Sequence, residues 1–357
     1  MDAGRAQWLP RPGRGDVRCQ LWPQRRLRAG ARLRLTGRGG PARPRRPRRR
    51  TTEPSGAPRP AARPPTPRGS VALLASILAS GLAVGAVYAL IGITYNTMFA
   101  TSRVMSFTAG QLGMLGGVLG SLFILRLGLP VLPGLVLTLA ACALLGVVTE
   151  IVAVRPVLKS LDQHLYVLST LALALMIQHT AALEWSTEPQ PFPRLIGLGE
   201  GIWEEKYWLP VAACAATILG LEYLYRRTLV GRAFVAIAED NYAARALGLP
   251  ERNLRMASYA LAGAIGALAG FAGGQLLLAF FANGPLLNFY GFIPVALGGL
   301  GNNRGAVIGG LALGLFQQAA NFLVGGIFSS VAVFTLFILV LLAAPQGLFG
   351  AAAARRV

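Results

Sequence analysis

Charge is scarce in this sequence outside its first 70 residues. Only 13% of the 357 residues are charged, whereas a soluble globular domain has about 25%. Residues 1–70 hold 19 arginines and three acidic residues, which leaves 15 basic and 11 acidic residues for the other 287. With 54% hydrophobic residues and a mean hydropathy of +0.53, the remainder is too apolar for a soluble enzyme. The chain is therefore predicted to be an integral membrane protein.

Cysteine and histidine are also scarce, which argues against redox and metal chemistry. Cys19, Cys142 and Cys214 are widely spaced and odd in number, so no disulfide framework is expected. His164 and His179 have no cysteine or carboxylate cluster at ligand spacing. No metal site, cofactor or catalytic residue is predicted, because no nucleophile paired with a base is visible either.

The sequence contains no phosphate-binding loop. The string Gly-x-x-x-x-Gly-Lys-Ser/Thr is absent, and the only two lysines, Lys159 and Lys206, follow no glycine loop. The charged residues Arg126, Glu150 and Glu222 lie near the ends of apolar segments. Ion-coupled carriers usually bury ionisable groups at mid-membrane, so a secondary transporter is disfavoured.

Residues 1–70 form a basic tail rich in arginine and proline. Its net charge is 19 − 3 = +16, and it holds 12 of the 23 prolines. Such a composition buries too little apolar surface to fold, so the tail is predicted to be disordered, and it lacks the features of a signal peptide. Three interpretations of the tail are open. We favour a translation start assigned too far upstream, and the others are a disordered cytoplasmic tail and an arm that binds nucleic acid or lipid. The sequence pI near 11.3 comes from this tail, so no nucleic-acid partner is predicted.

Long uncharged runs dominate the rest of the chain, and they predict an all-α, polytopic bundle of eight or nine transmembrane helices. About 20 residues cross a bilayer as a helix, and only helices or closed barrels satisfy the backbone there. The last two runs are long enough for two crossings each, with breaks predicted at 283–285 and 325–326. The runs are 71–102, 104–125, 127–149, 165–183, 207–221, 256–303 and 305–354. Glycines four residues apart, such as Gly81 and Gly85, indicate close helix packing.

Loop charges predict the orientation. Residues 226–255 and the segment from Arg155 to Lys159 are basic, as is the C-terminus 351–357, so all three are placed in the cytoplasm. Residues 184–206 are acidic and are placed outside. Three crossings in 71–149 would then put the tail outside, against the same charge rule. A tail that is not native, or a glycine-rich segment that re-enters, would resolve this conflict, and we favour the first.

Polar side chains are rare in the apolar runs, and a few of them are candidates to line a path through the membrane. Helix–helix hydrogen bonds, worth under about 1 kcal/mol each, are the competing interpretation. The candidates are Tyr88, Asn96, Ser106, Thr108 and Gln111, with Gln275 and Asn283 in the second half.

Residues 232–247 are mostly good helix formers, and Gly248 and Pro250 are stop signals. Because Phe234, Ile237 and Leu247 do not share one stripe, broken helical turns are predicted. This stretch is an amphipathic connector on the membrane surface or a docking element for a cytoplasmic partner.

Six blocks, found in order between residues 71 and 350, resemble the permease subunits of branched-chain amino acid ABC importers. Each block alone is weak, and their order makes the resemblance strong. The blocks are 85–90 (GAVYAL) with 106–111 (SFTAGQ), 150–158 (EIVAVRPVL) with 168–171 (LSTL), parts of 231–249, 262–270 (AGAIGALAG), 297–305 (LGGLGNNRG) and 345–350 (PQGLFG).

The resemblance implies a permease domain at 71–350 in the cell inner (plasma) membrane and a coupling loop at 226–255. The implied partners are a second permease subunit in a homo- or heterodimer, two cytoplasmic ATP-binding subunits that hydrolyse ATP, and an extracytoplasmic substrate-binding protein. The implied coupling residues are Gly231, Arg232, Ala233, Glu239, Asp240, Ala244, Leu247 and Gly248.

One block departs from the family pattern. The family usually has Asn-Phe-Ala-His-Gly-Glu where this chain has residues 106–111, SFTAGQ. The expected substrate is a branched-chain or related amino acid, and urea, short amides or another small polar solute are alternatives. A passive channel or facilitator of similar hydropathy is the competing class of protein.

Overall fold

The computed structural model describes residues 67–159, 165–185, 187–195, 197 and 204–343. The tail up to residue 66, with Cys19, lies outside the described residues, as do His164, the block 345–350 and the C-terminus 351–357. The first helix begins at Pro67, inside the segment that composition assigned to the tail.

Eleven α-helices make up the described part of the chain, and it contains no β-strand. Eight helical segments in it are long and apolar enough to cross a membrane, in agreement with the predicted all-α polytopic bundle. π-helical turns extend α2 over Leu122–Arg126 and α3 over Glu150–Val154. The helices are α1 Pro67–Ser102, α2 Ala109–Ser121, α3 Val131–Thr149, α4 Leu165–Glu184, α5 Glu205–Arg227, α6 Leu229–Glu239, α7 Asn241–Ala246, α8 Glu251–Leu277, α9 Asn283–Gly298, α10 Asn303–Val324 and α11 Gly326–Ala343.

Both of the longest uncharged runs divide, but the first does so just before the predicted residues 283–285, which begin α9. A break at residues 278–282 separates α8 from α9, and Gly325, with φ of +88°, separates α10 from α11. The first run nevertheless holds only one candidate span, α8. The 16-residue α9 is too short to be a second one, since a crossing needs about 20 residues.

Helices α1, α2 and α3 pack among themselves and with α8, α9 and α10 in a repeated pattern. The contact of α1 with α10 corresponds to the contact of α8 with α3, and the contact of α2 with α8 corresponds to that of α9 with α1. Helices α1, α2 and α3 thus match α8, α9 and α10 in that order. The end of α1 lies against the start of α8, where Ser258 Oγ donates to Thr97 O at 2.5 Å and Tyr259 donates to Ser102 Oγ at 3.2 Å. Because α1 and α8 therefore run in opposite directions, the two three-helix units are inverted relative to each other, an arrangement common among transporters.

The ends of α1 and α3 lie on the same side as the basic loop 226–255. Arg103 donates to the carbonyl of Ala238 in α6, and Glu150 pairs with Arg255 at the start of α8. Since α1 and α3 both run toward this side, Pro67 lies on the opposite one. The conflict between the charge rule and a native tail therefore persists in the structure.

Glycine allows the closest helix contacts. A Cβ on Gly85 of α1 would lie 2.7 Å from the carbonyl oxygen of Gly310 and 2.9 Å from Cα of Leu311 in α10. A Cβ on Gly116 of α2 would lie 2.6 Å from Cα of Ala267 in α8. Backbone contacts this close exclude any side chain, so glycine spacing here reflects packing, as small-residue helix faces do in lipid.

Replacing Gly85 by alanine should push α1 away from α10 and destabilise the bundle. Overpacking of a tight contact costs about 1–3 kcal/mol, so Gly85→Ala should lower the thermal unfolding midpoint of the detergent-solubilised protein. Gly220→Ala in α5 is the matched control, because a Cβ there meets no atom within 4 Å. Equal midpoints for the two variants would contradict the assigned contact.

Candidate functional site

The chain turns back into the bundle between α1 and α2. After α1 ends at Ser102, residues 103–108 are not helical, and α2 begins at a buried position beside α9. Non-helical backbone buried inside a helix bundle is tolerated only where protein groups satisfy its hydrogen bonds. We call residues 103–108 the re-entrant segment. Its stability therefore depends on the groups that bind its backbone.

Asn288 of α9 is the main partner of the re-entrant segment. Its Nδ2 donates to the carbonyl of Phe107, and its Oδ1 accepts from the Gly110 N–H at 2.7 Å and from the Tyr95 hydroxyl at 2.8 Å. One amide side chain thus joins α1, α2 and α9. Thr170 of α4 adds a weaker contact, accepting from the Phe107 N–H at 3.4 Å. Sequence reasoning did not select Asn288, although it is an isolated amide in the 256–303 run.

Three of the predicted path residues lie on or next to the re-entrant segment. The hydroxyls of Ser106 and Thr108 are 2.8 Å apart, and both residues are fully buried. Gln111 is 1% exposed, lies against Gly284 of α9, and its Oε1 has no hydrogen-bond partner among the described residues.

Tyr88 and Asn96 extend the polar positions along α1. The Tyr88 ring stacks on the ring of Tyr290 in α9, with centroids 5.1 Å apart. Tyr88 and Tyr95 are both residues of α1. Asn96 faces the turn between α9 and α10, where its Oδ1 accepts from the Gly301 N–H at 3.0 Å. The five side chains are therefore packed between helices, and their assignment to a path stays a prediction.

Gln275 and Asn283 lie apart from this cluster. Asn283 Nδ2 donates to the carbonyls of Leu277 and Leu278 at 2.9 Å and so caps α8. Gln275 donates to Glu205 at 2.5 Å and to the Pro193 carbonyl at 3.1 Å.

The segment that contains Glu205 was counted as an acidic outer loop, but this carboxylate is buried. Besides Gln275, it accepts the N–H groups of Leu195 at 2.7 Å and Gly197 at 2.8 Å. Phe192 of the same segment packs edge-on against Phe271 of α8, with centroids 5.3 Å apart. Glu205 therefore fastens the chain before α5 onto the end of α8.

The predicted coupling loop folds as two short helices, in agreement with the broken turns expected. Thr228 caps α6 by accepting the Gly231 N–H at 3.0 Å, and Gly231 lies directly against the backbone of Leu224 and Tyr225 in α5. Asp240 ends α6 and caps α7, since its Oδ1 accepts from Tyr242 at 2.9 Å and from Ala243 at 3.1 Å.

The buried side of α6 and α7 packs on α8. Its core is a small apolar cluster of Phe234, Ile237, Ala244 and Leu254, so Ala244 serves packing. Ala233 is half-buried against this cluster. Gly248, with φ of +79°, lies just after α7 in a left-handed conformation that favours glycine.

The opposite side of α6 and α7 is exposed, and we call it the coupling face. Two large side chains on it are almost fully exposed, Tyr242 at 84% and Leu247 at 82%. Arg232 and Glu239 are exposed as well, and neither makes an ion pair within the described residues. Of the predicted coupling residues, Arg232, Glu239, Asp240, Leu247 and Gly248 are exposed, whereas Gly231 and Ala244 are buried.

This architecture defines a class of protein: a polytopic helical membrane permease, with a re-entrant polar segment inside the bundle and a helical loop packed on one end. The family model of the branched-chain amino acid transport system permease component matches residues 77–344. The chain belongs to this family. It is therefore the membrane-spanning permease component of a transport system, in agreement with the predicted family.

Curated relatives carry the same description. The chain is 28% identical over 292 residues to the high-affinity branched-chain amino acid transport system permease protein BraD of Pseudomonas aeruginosa, covering 76% of this chain and 94% of the relative. It is 28% identical over 295 residues to the corresponding protein LivH of Escherichia coli (strain K12), with the same coverage. A probable branched-chain amino acid transport permease protein LivH of Methanocaldococcus jannaschii is 25% identical over 284 residues, covering 73% of this chain and 88% of the relative.

Removing the Asn288 amide should destabilise the re-entrant segment. Asn288→Ala leaves the Phe107 carbonyl and the Gly110 N–H unpaired, and each buried unsatisfied group costs about 1–3 kcal/mol. The expected result is a lower unfolding midpoint in detergent than for Asn321→Ala in α10, whose Nδ2 bonds only Gln318 of its own helix, at 2.8 Å. An Asn288→Ala midpoint as high as that of the control would show that other groups stabilise the break.

Proposed function

We propose that this chain imports a branched-chain or related amino acid across the cell inner membrane as part of an ATP-driven ABC importer. The proposed assembly has a second permease subunit, identical or homologous, two cytoplasmic ATP-binding subunits and an extracytoplasmic substrate-binding protein. Family membership supports the permease role, and the names of the relatives support the substrate class. ATP binding closes the partner subunits and tilts the permease halves, and hydrolysis resets the cycle.

The observation that carries the proposal is the coupling face. A contiguous exposed apolar patch usually marks a protein interface, and Tyr242 and Leu247, the two most exposed large hydrophobic side chains of the loop, would be part of one here. Because the sequence has no phosphate-binding loop, the energy for transport must come from another chain. The coupling face lies on the basic, and so cytoplasmic, side, where an ATP-binding subunit would dock.

The re-entrant segment supports an uncharged binding region for the substrate. Ser106, Thr108 and Gln111 offer hydroxyl and amide groups without a titratable side chain, and Gln111 Oε1 has no partner among the described residues. In the proposed cycle, separation of α2 from α9 opens this segment to the path. The same groups suit urea or a short amide, so the substrate assay must include both classes.

Reversing the charge of Glu239 should weaken docking of the ATP-binding subunits. Glu239→Lys is expected to lower their affinity about tenfold, or roughly 1.4 kcal/mol, because a like-charge contact replaces an attractive or neutral one. The measurement is the recovery of these subunits with the tagged chain from detergent-solubilised native membranes.

Glu184→Lys is the control for Glu239→Lys, since Glu184 is an exposed carboxylate at the end of α4, outside the coupling loop. Full recovery of the ATP-binding subunits with Glu239→Lys would contradict docking at this position. Recovery of the wild-type chain alone, still active for solute flux in liposomes, would indicate a passive channel or facilitator.

Substitutions in the re-entrant segment should change uptake. Thr108→Ala and Gln111→Ala are expected to lower initial uptake of labelled leucine or to shift the preference toward urea or acetamide, because polar groups along the path would be lost. Thr138→Ala is the control, since Thr138 is equally buried but bonds only Gly134 O of its own helix, at 2.7 Å. Unchanged uptake of every solute in both variants would exclude this segment from the path.

A further inference from the structure

The longest network of ion pairs among the described residues begins in the coupling loop. Arg245 of α7 contacts Glu251 at the start of α8 through Nε and Oε2, 2.8 Å apart. Asn241, also in α7, donates to the other oxygen of Glu251 at 3.3 Å. Both contacts join α7 to the first residue of α8.

The same network continues from α8 into α3. Glu251 contacts Arg255 at 3.1 Å, and Arg255 Nε donates to Glu150 Oε1 at 2.8 Å. Arg155 completes it by donating to Glu150 Oε2 at 2.5 Å. The Glu150 side chain is fully buried and the Arg255 side chain is 10% exposed, so the inner end of the network is shielded from water.

We infer that the ion pairs from Arg245 through Glu251 and Arg255 to Glu150 transmit the motion of α7 to α8 and α3. This inference rests on the proposed function. Charge-assisted hydrogen bonds are short and directional, and separating a buried ion pair leaves an uncompensated charge. Because the inner pair resists separation, a displacement of α8 carries α3 with it, and the Arg245–Glu251 pair with the Asn241 hydrogen bond links α7 to α8.

The remaining contacts of the coupling loop with the bundle are less suited to this task. The cluster of Phe234, Ile237, Ala244 and Leu254 is apolar, and apolar burial is non-directional. Arg103 joins α6 to the residue after α1, and Gly231 joins α6 to the backbone of α5, so neither contact reaches α8 or α3. Arg245, Glu251 and Arg255 act as positioning residues, since they reach the bundle through one another.

Arg245→Ala tests the inference without leaving a buried charge unpaired, because Arg245 is 61% exposed and Glu251 keeps Arg255. The experiment measures hydrogen exchange on the complex that co-purifies with the tagged full-length chain, with and without ATP and vanadate. In the wild type, trapping should change exchange in α6–α7 and in the first turns of α8. In Arg245→Ala, the α6–α7 response should persist, whereas the α8 response should fall at least about fivefold, the low end of allosteric coupling.

Two variants distinguish transmission from simple support of the fold. Arg245→Lys keeps a charge within reach of Glu251 and should restore much of the α8 response. Arg226→Ala removes an equally exposed arginine paired at 2.8 Å with Glu222 of α5, and should leave the α8 response unchanged.

An α8 response in Arg245→Ala as large as in the wild type would overturn the inference. Loss of the ATP-binding subunits from the Arg245→Ala complex would also overturn it, because Arg245 would then act in docking. If no ATP-binding subunit co-purifies with the wild-type chain, the proposed function itself fails, which is a different result.

Discussion

The close approach of α8 to its neighbours is the constraint on which the bundle depends. Gly263 lies against Cys142 of α3, and Gly270 lies against Gly113 of α2, so backbone meets backbone at two positions about two turns apart on one helix. In lipid, association between helices relies on such contacts, because lipid tails are as apolar as the side chains. α8 packs against α2, which follows the re-entrant segment, and against α1 and α3 of the inverted unit.

Buried carboxylates fasten α8 at its two ends. Glu150 binds Arg255 at the first turns of α8, and Glu205 binds Gln275 at the last. A buried carboxylate is costly unless it is fully hydrogen-bonded, and each of these accepts several donors. Breaking either contact would leave a buried charge with fewer partners, so both ends of α8 resist separation from their neighbours.

The coupling face and the re-entrant segment are connected through the same two helices. α7 contacts the start of α8, and α6 contacts the residue after α1. α1 in turn contacts Asn288 through Tyr95, and α8 packs along α2. A change in the loop 226–255 therefore has short physical routes to the segment that we propose for the path. The loop and the re-entrant segment are thus linked by direct contacts between neighbouring helices.

From the sequence alone come the eight or nine spanning helices, a break between α8 and α9 and the family, which the structure and the family model confirm, whereas the orientation of the loops stays a prediction. These depend on local properties: runs without charge, glycine and asparagine at breaks, and arginine on one side. Only the tertiary structure decided that Asn288 supports the re-entrant segment, that Asp240 is a helix cap and that Glu205 is buried. It also joined Glu150 to Arg255, 105 residues later in the chain. Such pairings depend on which helices pack together, and uniformly apolar helices carry little pattern that specifies their neighbours.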